Sequence, residues 1–301
     1  MFDKPALPAM AAGVCWGSSG LVMRQMGAYG LDNAEIGALR LLVAALIVCA
    51  MALCQSARMR INLRQLPWLL VMGAGCLFLY SLCYVLAVRE ISLSLTAVLI
   101  YTSPAIVMVI SVAVFHDPIT RGKAAALGLT FAGCCLVTGV ISGTGRYSWG
   151  GIGFGLLAAL LYAIYTLLAK IQTRGCAALT VTAWSLLFGA ASAMLAVNIP
   201  HGLGVLRAAP AALLWVMLAG VVNTALPYLL YTVAVSRGDA GNAAMMASVE
   251  PVVATLLGAL VFHEIPGVWA MLGIVLVIAG LGVMTRMPPR QQLRPPKTLL
   301  R

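Results

Sequence analysis

The sequence predicts an all-α integral membrane protein with ten transmembrane helices arranged as two inverted five-helix repeats. Three observations predict it. The composition is too apolar for a water-soluble fold, ten stretches reach membrane-crossing length, and an internal repeat encloses an odd number of them.

Of the 301 residues, 62% are hydrophobic and 9% charged, against about 25% charged in a soluble domain. A chain of this length cannot hide so much apolar surface, so the bilayer must cover part of it. A membrane helix needs about 20 mostly apolar residues. Ten stretches qualify, at roughly 6–23, 35–55, 67–88, 92–114, 124–141, 150–170, 180–200, 211–235, 242–262 and 266–285. The first follows only Lys4 and carries Trp16, Ser18 and Ser19, and so reads as an uncleaved helix rather than a signal peptide. The ninth opens on the polar Asn242 and contains Glu250. It is separated from the tenth by the breaker His263-Glu264-Ile265-Pro266-Gly267. Beyond Arg286 the chain is basic and proline-rich, which predicts a disordered cytoplasmic tail over 287–301.

The formal charge is +11, but no basic face tracks a phosphate backbone, so nucleic acid is not an expected partner. The cations instead report topology. With a cytoplasmic N-terminus, cytoplasmic segments hold 14 Lys and Arg residues, among them Arg60, Arg64, Arg121, Lys123, Lys170, Arg174, Arg237 and Arg286. The other side holds four, Arg24, Arg89, Arg146 and Arg207, and Arg40 lies inside the second stretch. The positive-inside rule then puts both termini in the cytoplasm. Seven of the eight cysteines sit in apolar runs, and none has zinc spacing. No metal, cofactor or disulfide is expected.

The repeat has an offset of 147 residues. Tyr84 to Asp117 aligns without a gap on Tyr231 to Glu264, so Pro104 meets Pro251 and Val114-Phe115-His116 meets Val261-Phe262-His263. Ala132-Gly133 falls on Ala279-Gly280 in the same register, and at an offset of 146 Trp16 to Arg24 lies over Tyr162 to Lys170. The predicted domains are 1–145 and 146–286. Five helices per unit force opposite insertion of the two, an arrangement that builds two similar gates around one midplane site in secondary transporters.

Thr102-Ser103-Pro104 followed by Val114-Phe115-His116-Asp117, and Glu250-Pro251 followed by Val261-Phe262-His263-Glu264, resemble the drug/metabolite transporter superfamily, in particular its EamA-type ten-helix members. Trp16-Gly17 and Arg40 also look like family positions, and the likeness covers nearly the whole chain. Asp117 departs from it, since glutamate is commoner there. The resemblance implies a multi-pass protein of the bacterial inner membrane that exports amino acids or related metabolites, and not an enzyme.

Glu250 is the sharpest candidate for a binding or proton-coupling group, because an ionisable side chain near mid-membrane faces a cavity or a partner. Asn223 is a candidate partner. Pro104 and Pro251, which lack the amide proton, are candidate hinges. Arg40 would either recognise a substrate carboxylate, snorkel to the interface, or pair with Glu35 or Asp32. Trp16, Ser19, Tyr80, Tyr84, Tyr101, Tyr162 and Tyr228 lie near mid-depth and would line an amphipathic pocket or serve as packing; Tyr80 and Tyr84 share a face at i,i+4 spacing. Ser18, Tyr165 and Tyr231 belong to the same depth. The expected partners are a small-molecule substrate and the lipid bilayer. The oligomeric state is open, and a monomer is compatible with everything above. A lipid or lipid-linked sugar flippase is the alternative function. A membrane-embedded enzyme fits less well, for want of an intramembrane histidine or a catalytic dyad.

Overall fold

The computed structural model describes residues 6–55, 59–117, 119–140 and 148–286. The tail 287–301 and the expected domain boundary at 145 lie outside the described residues. Among those described, every regular element is helical. Nine helices are long and apolar enough to cross a bilayer: α1 Ala6–Ala28, α2 Asn33–Cys54, α3 Leu66–Glu90, α4 Leu93–Phe115, α6 Trp149–Gln172, α7 Ala178–Leu195, α8 Ala211–Arg237, α9 Ala240–Phe262 and α10 Val268–Thr285. Between α4 and α6 runs α5, Arg121–Val137, with 17 residues.

Polar caps set half of these starts. Asp32 and Glu35 form a reciprocal capping box at α2, in which each satisfies a backbone amide that a helix start leaves open. Ser92, Thr120, Ser148 and Asp239 cap α4, α5, α6 and the first segment of α9 through their side-chain oxygens. Two expected boundaries need correction. The first helix runs past residue 23 to Ala28. The seventh stops at Leu195 rather than 200, because Asn198 caps a separate short helix, Ile199–Ala208, with Pro200 in its first turn.

Five of the long helices are irregular: α1 is interrupted at Ser18, α4 and α9 share one pattern, and α3 and α8 share another. In α4 the helix breaks at Tyr101–Thr102 and resumes at Ser103; in α9 it breaks at Ser248–Val249 and resumes at Glu250. The second break lies 147 residues after the first. Proline explains both. Pro104 cannot donate to Ile100, nor Pro251 to Ala247, and these carbonyls end the preceding segments. Both helices then finish on a left-handed histidine, His116 at φ 57° and His263 at φ 55°. The amides of Asp117 and Glu264 each reach back 3.3 Å to a carbonyl, on Ser111 and Gly258 respectively. The pattern shared by α3 and α8 is a wide π-helical turn, at Val71–Leu79 and at Val221–Ala225. Such turns leave backbone groups imperfectly paired and re-aim the side chains that follow; here those are Tyr80 and Tyr228.

Close approach between helices rests on glycine. Gly13 and Gly17 of α1 lie on the break of α9, where a Cβ on Gly17 would sit 2.7 Å from the Glu250 carbonyl oxygen. The carbonyl that Pro251 leaves free, on Ala247, is the one Gly13 faces. At the far edge α5 and α10 pack antiparallel. A Cβ on Gly133 would come within 2.7 Å of the Gly273 oxygen, and one on Gly280 within 2.9 Å of the Ala126 oxygen. Small residues permit such backbone contact inside a membrane, where burial of apolar surface gives helices no reason to associate.

Candidate functional site

The breaks of α1, α4 and α9 and the π turns of α3 and α8 converge on one aromatic region. Trp16, just before the interruption of α1 at Ser18, is its hub. Its ring meets Tyr228 edge-on at 5.5 Å and Tyr162 at 6.2 Å, and lies 5.4 Å from Tyr231. Tyr80 and Tyr84 stack at 6.5 Å, as their spacing predicts. Tyr165 meets Tyr228 at 5.5 Å.

Glu250 opens the second segment of α9. Its carboxylate lies within electrostatic reach of the hydroxyls of Tyr80, Tyr84, Tyr101, Tyr162 and Tyr228. Among the described residues it forms no hydrogen bond or ion pair. Its position in the first turn sets it against the positive end of the helix dipole, which compensates part of its burial. Arg40 approaches the same group from α2, within reach of Tyr80, Tyr84 and Tyr228, and its Nε is buried without a partner. Trp16, Arg40, Tyr80, Tyr84, Tyr101, Tyr162, Tyr228 and Glu250 are all half-buried. Side chains that meet across seven helices and still keep accessible surface border space inside the bundle.

The structure separates these residues from others expected beside them. Asn223 does not partner Glu250. Its amide donates at 2.7 Å to the Cys15 carbonyl and at 2.7 Å to Ser18 Oγ, so it ties the π turn of α8 to the interruption of α1. Its Oδ1 is buried without a partner. Ser18, not Ser19, carries that contact; Ser19 begins the second segment of α1 and has no side-chain hydrogen bond among those described. Arg40 pairs with neither Glu35 nor Asp32. Glu35 instead lies 2.7 Å from His201 Nδ1 and receives the Asp32 amide. Tyr231 is fully buried and bonded at 2.8 Å to Thr166, and Tyr165 is 3.3 Å from Thr232, so these two hold α6 to α8. Pro104 and Pro251 stand immediately after the two breaks.

Sequence reasoning had no signal for the Asn223–α1 tie or the His201–Glu35 contact, whose members are 205 and 166 residues apart. Among the described residues no three His, Cys, Asp or Glu side chains gather as metal ligands. A separate cavity of about 380 Å³ lies at one end of α2, α7 and α8, lined by Met51, Gln55, Ala177, Leu179, Leu229, Val233, Ser236 and Arg237. It contains none of the candidate residues; the unpaired charge lies in the aromatic region instead.

Comparison with known proteins agrees with this architecture. The model of the EamA-like transporter family matches residues 4–139 and again 149–286. The chain is 25% identical over 297 residues to the uncharacterized transporter YwfM of Bacillus subtilis, covering 95% of both chains. It is 26% identical over 209 residues to an uncharacterized transporter of Archaeoglobus fulgidus, covering 69% of this chain and 73% of that one. A solved structure described only as a crystal structure of protein superposes with a TM-score of 0.79 at 18% identity, over 93% of this chain and 96% of that one.

Proposed function

The chain belongs to the EamA-like transporter family, a family of membrane transporters, and from that premise we propose that it is a ten-helix carrier of small amphipathic metabolites bearing an amine, such as amino acids. In this reading residues 1–145 and 146–286 are inverted five-helix halves, α5 is the tenth crossing, and both termini face the cytoplasm of a bacterial inner membrane. Substrate leaves the cell by alternating access, as the halves rock about Pro104 and Pro251.

The observation that carries the reading is the unpaired Glu250 carboxylate amid half-buried tyrosines. A buried charge without a partner is costly. It is kept where a ligand or a proton completes it. A substrate ammonium would sit against Glu250 and the faces of Trp16, Tyr162 and Tyr228, which attract cations. Arg40, with its free Nε, would take a carboxylate at the other end of a zwitterion. Tyr80, Tyr84 and Tyr101 would hold the apolar body between them.

The antiparallel seam of α5 and α10 supports the inverted halves, since equivalent residues exchange places across it: Gly133 faces Gly273 while Gly280 faces Ala126. The repeated family match and the breaks 147 residues apart support it too. Flux of labelled amino acids and amines from proteoliposomes tests the function. Glu250→Gln is expected to abolish flux and its dependence on a proton gradient. Wild-type flux in that variant would remove Glu250 from the mechanism, and a panel with no movement at all would remove the substrate class.

A further inference from the structure

Two charged clusters lie outside the aromatic region, at opposite ends of α9. At its far end, Arg24 of α1 pairs with Glu264 at 2.9 Å and lies 4.4 Å over the Phe262 ring. At its start, Lys123 of α5 pairs with Asp239 at 2.5 Å. Beside this pair Arg174, after α6, lies 5.1 Å over the Phe115 ring, and Lys170 donates to the Gly238 carbonyl. Asp117 completes the second cluster. Burial foremost, and then the Asp239 carboxylate, raise its carboxyl above the usual range, against the opposing pull of Lys170, Lys123 and Arg174.

The two clusters share a design. In each, a cation from the end of a half's first helix covers the phenylalanine of the Val-Phe-His-acid motif in the other half. Phe115 and Asp117 stand 147 residues before Phe262 and Glu264; Arg24 falls on Lys170 at an offset of 146, one helical turn before the Arg174 that covers Phe115. Arg24 to Glu264, Lys123 to Asp239 and Arg174 to Phe115 all cross between the two segments that the family model matches separately.

We propose that these clusters are paired latches, one at each end of the carrier, which fasten the halves together and release in alternation. The proposal rests on the transport reading above. It adds which residues close each end and that the two closures differ in strength. The Arg24 and Glu264 side chains are 58% and 57% exposed, whereas Lys123 and Asp239 are 15% and 21% exposed. Water and salt screen an exposed pair far more than a half-buried one. The Glu264 end is therefore the weaker latch and opens first.

Hydrogen–deuterium exchange on the full chain in lipid nanodiscs tests this without a known substrate. Raising salt to about 1 M, where screening acts within roughly 3 Å, should speed exchange at 262–267 in the unaltered protein and slow it at 119–124 and 236–242. Arg24→Glu should do the same, by about fivefold at 262–267, an opening cost read directly from amide protection. Asp239→Lys should reverse the pattern, and Lys123→Asp with Asp239→Lys should restore it. Reciprocal protection at the distant end is the decisive reading, because a local tie would alter only its own surroundings. Change confined to the altered end, or acceleration at both ends, overturns the proposal. Flux without reciprocity would sink the latches and leave the transport reading; reciprocity without flux of any compound would sink the substrate class and leave the latches.

Discussion

In the proposed function Glu250 is a single residue that trades stability for a task. A carboxylate inside a membrane bundle, with no hydrogen bond or ion pair among the described residues, is poorly compensated. Glu250→Gln should raise the thermal midpoint in detergent, a gain on the order of 1–3 kcal/mol for removing an uncompensated buried charge, while flux is lost. A lowered midpoint would mean that the carboxylate is structural. Asn223 should behave in the opposite way. Asn223→Ala removes two 2.7 Å bonds that hold α1 and leaves the Cys15 carbonyl and Ser18 Oγ with fewer donors, at a cost of about 1–3 kcal/mol. Chemical unfolding of the purified protein measures it. At this scale the sequence was informative where chemistry was unusual and silent where geometry decided. Glu250 stood out because a carboxylate beside a proline in an apolar stretch needs a reason. The choice of Asn223 for α1 rather than Glu250 depends on how far the π turn rotates α8, and no residue spacing encodes that rotation.

The helices tell a similar story one level up. Their existence and rough limits were legible, because twenty apolar residues between polar caps allow little else. The broken α4 and α9 were legible too, through Pro104 and Pro251. The wide turns of α3 and α8 were not: Val71–Leu79 and Val221–Ala225 are apolar runs like their neighbours. The short helix Ile199–Ala208 was missed because its first residues continue the apolar run of α7. Pro251→Ala should restore the missing amide and close the break between Ala247 and Glu250. A more stable α9 with slower flux is the expected outcome, checked by unfolding and transport on the same preparation. Gly17→Val is expected to be severe. Its side chain would enter the space of the Glu250 carbonyl and of Val253, both 2.7 Å from a Cβ there, and overpacking of this kind costs roughly 1–3 kcal/mol. Loss of folded protein in a thermal assay is the readout. An unaffected midpoint would mean that α1 does not pack against the break as tightly as the structure has it.

For the whole molecule, the membrane fold, the family and the repeated motif were legible from end to end. The uneven strength of the two charged ends was not, since the same residue types at both ends differ only in burial. A reporter active outside the cytoplasm, fused after residue 145, should be active, and the same reporter fused after residue 286 should be silent. Equal activity at both positions would refute five crossings per half.

The seam between α5 and α10 has a consequence for ancestry. A surface on which position and partner swap places, Gly133 on Gly273 and Gly280 on Ala126, is complementary to an upside-down copy of itself, as the contact of any twofold dimer must be. On the proposed reading of inverted halves, two separate five-helix chains inserted in opposite senses would meet through this same contact. Joining two such chains in one reading frame would require no new interface, and it would leave each half free to differ, as Glu250 and Asn223 differ from Ser103 and Cys76 at the same register.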